Sequence, residues 1–420
     1  MSMKYDSSAV SKYLDTYAEP DIQALQRSLE RPFDAVLVIP VYDEPITQLL
    51  KIIDKVSAHS AVLIFVFNAP DVDEPEVAAA QQRTREALES LVKQTQARQE
   101  SELFRANISS TLTLYCMSYC HAERLLSPKQ GVGLARKLGM DLGLKLVQQQ
   151  YLSTGKLADW LHSSDADVSL PESYFNISVD DSSAAAAIYP FKHIAELGYE
   201  TAMSLYDHSL RYYVDQLQQA GSPYAFHTIG SLIAVSPIAY ALVRGFPKRS
   251  AGEDFYLLNK LAKVGRIHSL EAPTIEISGR PSHRVPFGTG PALLKISRME
   301  KPDKVYTFYH PQCFKLLKKL LSIISNSGQS FSSAELLFEA IKDTMSDVDS
   351  AAVIQALCNL KIEKQFKHLS QKRDSISFQR AFHIWFDAFV TLRFIHEVRD
   401  SHYPNVSFNE LPELSSEIDR

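Results

Sequence analysis

Glycine is scarce in this chain, with 15 among 420 residues, about half the usual ~7% share. A function built on a glycine-rich phosphate cradle would have to use very few of them. Cysteine is scarcer still: Cys116, Cys120, Cys313 and Cys358 are all there are. So few in so long a chain exclude a disulfide framework and point to a reducing compartment. An excess of one charge is also lacking. Lys and Arg number 44 against 49 Asp and Glu, a net charge of −5, which leaves no basic field to draw in nucleic acid as a principal partner. No window reaches the ~20 apolar residues that span a bilayer. The nearest, Ala381 to Ile395, is interrupted by His383, Asp387 and Arg393 and reads as a buried helix. The opening MSMKYDSSAVSKYLD has no apolar stretch of the signal-peptide kind. A soluble, cytoplasmic protein is expected.

What is present suits a globular fold. Hydrophobic residues make up 45% and charged residues 22%, and the length suggests two to three domains. Cys116, Cys120 and His121 lie close together, but no fourth ligand follows at finger spacing and Cys116 ends an apolar run. They read as buried or loop thiols, not structural zinc.

Residues 1–32 read as a helical lead-in. Short apolar runs follow at Ala35–Val41, Ala61–Phe67, Thr111–Met117 and Ala158–Ser164. They lack alternation and are separated by helical stretches at Ile46–Val56, Pro75–Glu102 and Gly131–Tyr151. Such a pattern predicts an α/β fold with a mostly parallel sheet covered on both faces. Ala184–Ile188 and Leu232–Val235 read as further strands, Tyr199–Ala220 and Pro237–Arg244 as helices. From about Pro291 strand signals cease. Cys313–Ile324, Ser333–Thr344, Ala351–Leu360 and Phe378–Val398 predict a separate all-α extension. The expected division is thus 1–32, 33–290 and 291–420.

Ligands of such sheets bind beyond the carboxyl ends of the strands. There the sequence places PVYDEP, NAPD, SYCHAERLLSP and DAD. Asp165-Ala166-Asp167 offers two carboxylates at i and i+2, a hard-oxygen site for Mg²⁺ or Mn²⁺ with room for substrate phosphates; the plainer alternative is an Asx turn and helix cap. Ser250-Ala251-Gly252-Glu253-Asp254 opens a helix. Ser250-x-x-Glu253 has the capping-box pattern, which gives Glu253 a structural task. Asp254 is then the freer carboxylate and the candidate general base, its pKa expected to be lowered by the helix N-terminus. In the loop Ser278–Gly290, Arg280 and Arg284 could fork onto phosphate and His283 could ligate a metal; the alternative is a solvated basic turn. Gly131-Val132-Gly133-Leu134-Ala135-Arg136 fails as a dinucleotide fingerprint, because Arg136 stands where the third glycine should be. A helix N-terminus with a basic residue near an anion remains.

In order, VIPVYDEP, FNAPD, GVGLARKLG, DAD and AGEDFYLLNKL resemble the family-2-type glycosyltransferases of GT-A fold, over about Phe33 to Gly290. The resemblance implies a metal-dependent, hexosyltransferase-like enzyme that moves a sugar from a nucleotide-diphosphate donor to an acceptor hydroxyl. Pro40, Tyr42 and Glu44 would then lie by the nucleotide, with Asn68 and Asp71 facing base or ribose. Arg136 would sit below the donor, Asp165 on ribose or metal, and Asp167 on the metal. Asp254 would match the base of inverting members, and His283 a later metal ligand of some relatives. Asn68 departs from the aspartate of many members, which leaves the base identity open. The alternatives are a retaining enzyme with His283 on the metal, or a non-catalytic nucleotide-sugar-binding protein. The C-terminal helices are expected to pack on the catalytic domain or form a homo-oligomer. The lysine-flanked leucines of Phe314–Ile324 offer peripheral membrane contact as the other option.

Overall fold

Two short β-branched runs, β1 (Ala35–Val41) and β2 (Ala61–Asn68), are buried at every position, as strands covered on both faces must be. They form the centre of a computed structural model that describes residues 4–25, 31–71, 75–92, 97–100, 103–120, 124–282, 288–326, 331–372 and 374–411. The further strands are β3 (Ala97–Glu100), β4 (Leu103–Asn107), β5 (Leu112–Tyr119), β6 (Leu161–Ser163), β7 (Val168–Ser169), β8 (Ala184–Ile188), β9 (Phe191–Ala195), β10 (Ile233–Val235), β11 (Arg266–Ser269) and β12 (Ile275–Gly279). Among the described residues the large sheet has nine strands in the order β11-β8-β10-β6-β1-β2-β5-β4-β3. Pairings β6–β1–β2–β5 are parallel. Only β10 and β4 run against the rest. The α/β expectation holds, with a mostly parallel sheet flanked by helices. A small second sheet, β7-β12-β9, lies apart.

The chain leaves β1 for β2 and β5 on one side, then returns to β6 on the other. That reversal is a topological switch point, and ligands of open α/β sheets bind outside the carboxyl ends of the strands that flank one, here β1 and β6. The helices here are α1 (Ser7–Thr16), α2 (Pro20–Ala24), α3 (Ile46–Val56), α4 (Pro75–Val92), α5 (Gly131–Thr154), α6 (Glu200–Gln219), α7 (Pro237–Leu242) and α8 (Glu253–Leu261). Helix α5 lies unusually close to the sheet. A Cβ on Gly139 would come within 2.3 Å of Val38 Cγ1, and one on Gly143 within 2.8 Å of Val36 Cγ1. Two glycines one turn apart thus set the helix–sheet distance. The first turn of α5 is equally crowded: Gly133 N donates to Arg249 O at 2.9 Å. A Cβ there would lie 2.5 Å from the carbonyl oxygens of Pro247 and Arg249. The GVGLAR glycines therefore serve close packing against the loop before α8. That loop's carbonyl caps the helix where an anion was expected.

The described part of the expected helical lead-in carries α1 and α2. Helix α1 is fastened to α5 and α7 by a buried network around Asp141, which accepts from Tyr13 Oη (2.5 Å), Tyr240 Oη (2.9 Å), Lys137 Nζ (2.9 Å) and Glu19 N (2.9 Å). The chain divides into a first unit, Met1–Ile194 with Thr228–Gly279 and His283–Gly288, and a second, Ala195–His227 with Arg280–Ser282 and Thr289–Arg420. The expected boundary at 290/291 thus misplaces α6. Its Ala202, Met203, Leu205, Tyr212 and Leu217 belong to the apolar core of the C-terminal helices, and burial there decides its allegiance.

The second unit continues with α9 (Thr289–Ser297), α10 (Pro302–Val305), α11 (Pro311–Asn326), α12 (Ala334–Thr344), α13 (Asp347–Asn359), α14 (Ile362–Leu369), α15 (Ser375–Trp385) and α16 (Ala388–Ser401). The single helix expected over Phe378–Val398 is two, because Asp387 caps α16 through Phe389 N and Val390 N. Phe314, Leu317, Leu320, Leu321 and Ile324 of α11 are buried in this core. The apolar face that a membrane-surface helix needs is therefore already covered. No described helix is long and apolar enough to cross a membrane.

Candidate functional site

Three segments distant in sequence, at 136, 163–165 and 253, meet at one guanidinium. Arg136, one turn into α5 and 3% exposed, projects past the end of β6. Its Nη1 donates to Ser163 Oγ (2.8 Å) and Ser164 O (3.0 Å), Nη2 to Asp165 Oδ1 (2.6 Å), and Nε to Glu253 Oε1 (3.0 Å). The cluster forms because Ser164 N donates to Val38 O, which holds the turn after β6 beside β1. The crowded first turn of α5 in turn carries the loop 247–252 that delivers Glu253. Burial works against the guanidinium's charge, but Asp165, Glu253 and Asp254 together hold it firmly protonated. Burying a cation at this depth is tolerable only with such pairing.

The capping-box expectation fails. Gly252, at φ 69°, is the N-cap of α8, and no side chain caps the helix. Glu253 is instead buried and paired with Arg136. Helix position misled because Ser250 lies against Gly131, in the packed seam between the loop and α5. The expected lowering of the Asp254 pKa also reverses. Loss of hydration is the largest cause, the Glu253 carboxylate the next, and Asp165 adds to them; the Phe255 amide and Arg136 oppose them but lose. The carboxyl is pushed up to about 7. It keeps some contact with solvent.

The remaining residues are placed as follows. Asp165 is a third exposed beyond its Arg136 contact. Asp167, two residues on, is half-buried, its carbonyl accepting from Ser278 N at 3.3 Å. Pro40 is buried in β1; Tyr42 and buried Glu44 follow it, around Asp43 at φ 54°. The Asn68 amide donates to Val41 O and Val66 O, both at 3.1 Å. Its nitrogen thus ties β1 to β2. Asp71 is exposed, its backbone N bonded to Leu126 O. Arg280 belongs to the second unit. His283 and Arg284 lie outside the described residues, as does His121; Cys116 and Cys120 are buried free thiols.

Sequence reasoning missed Ser163, Gly230 and Tyr174. Only the position of Ser163 at a strand end could have signalled one of them. Tyr174 stacks on Tyr189 (4.9 Å between centroids, 13°) and tilts against His162, whose charge burial suppresses. The Tyr174 hydroxyl is buried beside Ser164 without a well-formed hydrogen bond. A buried hydroxyl in that state returns little for its desolvation. Tyr174→Phe is therefore expected to leave the melting temperature unchanged or raise it. A loss beyond about 1 kcal/mol in urea unfolding would mean that the hydroxyl does hold Ser164.

Among the described residues, no three His, Cys, Asp or Glu side chains are grouped to hold a metal by themselves. Asp165 and Asp167 nonetheless fit a hard divalent ion of the kind that takes one or two carboxylates and completes its shell with water and substrate phosphates. No protein-family model matches the chain, and no curated protein matches it in sequence.

Proposed function

We propose that this chain is a glycosyltransferase that moves a sugar from a nucleotide-diphosphate donor to an acceptor hydroxyl, with inversion. One observation carries the reading: a carboxyl tuned to about 7, Asp254, is electrostatically linked to the Asp165 carboxylate outside the ends of β1 and β6. A base near neutrality is matched to removing a hydroxyl proton at cellular pH. The D-x-D turn at a topological switch point suits a diphosphate donor. Asp254 accepts the acceptor's proton as its oxygen attacks the anomeric carbon, and Arg136 holds Asp165 against rotation. Asp167, with Asp165, would hold Mn²⁺ or Mg²⁺, which when bound neutralises charge on the leaving diphosphate.

The test is a panel of nucleotide-sugars scored for metal-dependent thermal stabilisation and then for nucleoside diphosphate release. Asp167→Asn is expected to abolish Mn²⁺-dependent donor binding while the melting temperature without ligand stays put. Full donor affinity in that variant, or release undiminished by chelator, overturns the metal assignment.

A further inference from the structure

We infer that Gly230 is a positioning residue for this site: its bare α-carbon forms the wall that fixes the Arg136 fork, and with it the placement of Asp165 relative to Glu253 and Asp254. The inference rests on the proposed function for its catalytic meaning, but its geometry stands alone. Gly230 opens the short turn before β10. A Cβ there would lie 2.5 Å from Arg136 Nη2, 3.0 Å from Cζ and 3.2 Å from Nε. No φ in the left-handed region is involved, so conformational freedom does not explain the glycine. Close approach does.

An arginine tip can usually swing away from such a contact. This one is held by four hydrogen bonds to Ser163, Ser164, Asp165 and Glu253, and leaving them would strand a buried carboxylate. Retreat of the backbone is also opposed. Gly230 O accepts from Ser163 Oγ at 3.2 Å, and Ser231 O from Ser164 Oγ at 3.3 Å. The same two serines thus bind the guanidinium's neighbourhood on one side and the glycine's on the other. An added methyl has no cheap way out, and the guanidinium edge that meets it is the one bonded to Asp165.

The experiment is a double-mutant cycle on the full chain with Gly230→Ala, Arg136→Lys and the pair, since Lys lacks the Nη2 that meets the methyl. Gly230→Ala alone is expected to lower the melting temperature by several degrees. Added to Arg136→Lys, it is expected to cost little more. A readout indifferent to mere packing accompanies it: the titration of Asp254 in ¹³C-aspartate-labelled protein, assigned by its loss in Asp254→Asn. The groups facing that carboxyl are Glu253, Arg136 and Asp165. Displacing the guanidinium removes the attractive one, so the midpoint moves up in Gly230→Ala. Additive melting effects, or an unmoved Asp254 midpoint, overturn the inference. Binding of a nucleoside diphosphate with Mn²⁺ is measured in parallel. If wild type binds none while the cycle is coupled and the midpoint moves, the proposed function fails and the positioning role of Gly230 stands.

Discussion

Arg136→Met is expected to destabilise the first unit by about 3–5 kcal/mol, the range seen when one partner of a buried ion pair is removed. The loss comes chiefly from Glu253, which is 6% exposed and would be left buried with no cation beside it. Asp165 contributes less, because a third of its surface meets solvent that can rehydrate it. Urea unfolding of the full chain measures the effect. The triple replacement Arg136→Met, Asp165→Asn and Glu253→Gln is the control. It removes the stranded charges together with the guanidinium, so it is expected to recover much of the loss. A single variant within 1 kcal/mol of wild type (on the order of an exposed pair's worth) would falsify the account of Arg136 as a buried keystone.

Asp254→Asn is expected to cut nucleoside diphosphate release by about 10²–10⁴-fold, the usual contribution of a positioned base, with donor binding retained. The pH dependence gives an independent check. A carboxyl whose folded pKa is raised binds its proton more tightly in the native state, so it favours folding below the unfolded carboxylate pKa. That contribution is lost as pH rises from about 4 towards about 7. Wild type should therefore become less stable relative to Asp254→Asn across that window, with no further change above it. Parallel stability curves for the two proteins would mean that the carboxyl titrates normally, and the case for it as a near-neutral base would fall. Glu253→Gln supplies the contrast. It is expected to destabilise the protein by weakening the Arg136 pair, where a capping role would leave stability little changed.

The central strands were legible because apolar β-branched runs such as Ala61–Phe67 admit few other fates. The edge strand β11 was not: it reads Arg-Ile-His-Ser, three of its four residues polar and none of them buried, and it pairs with β8. The site was legible one residue at a time. Asp165, Asp167 and Asp254 could be named from strand ends and helix starts, since those positions are local facts. Glu253 was misread because local spacing offered a complete explanation, a capping box, and the competing partner stood 117 residues earlier. Gly230 was invisible for the same reason. A glycine reveals itself in sequence when its backbone is unusual, not when a distant side chain needs the space.

The convergence on Arg136 has a consequence for how the chain acquires its site. Its parts lie at positions 136, 163–165, 230 and 253, so the last carboxylate is made long after the strands that shelter the guanidinium. The sheet β5-β2-β1-β6 can pair from residues 35 to 163, and α5 can dock on it through its two glycines. At that stage Arg136 lacks Glu253, and the first turn of α5 lacks the carbonyl of Arg249. Contacts of such long sequence separation close late and slowly. During synthesis the half-made unit therefore carries a cation at its centre still waiting for its second counterion. Arrest of the nascent chain before residue 253 would leave that core soft, and release past it would set it. Completion of the first unit would then wait on Glu253, the immediate neighbour of the proposed base Asp254.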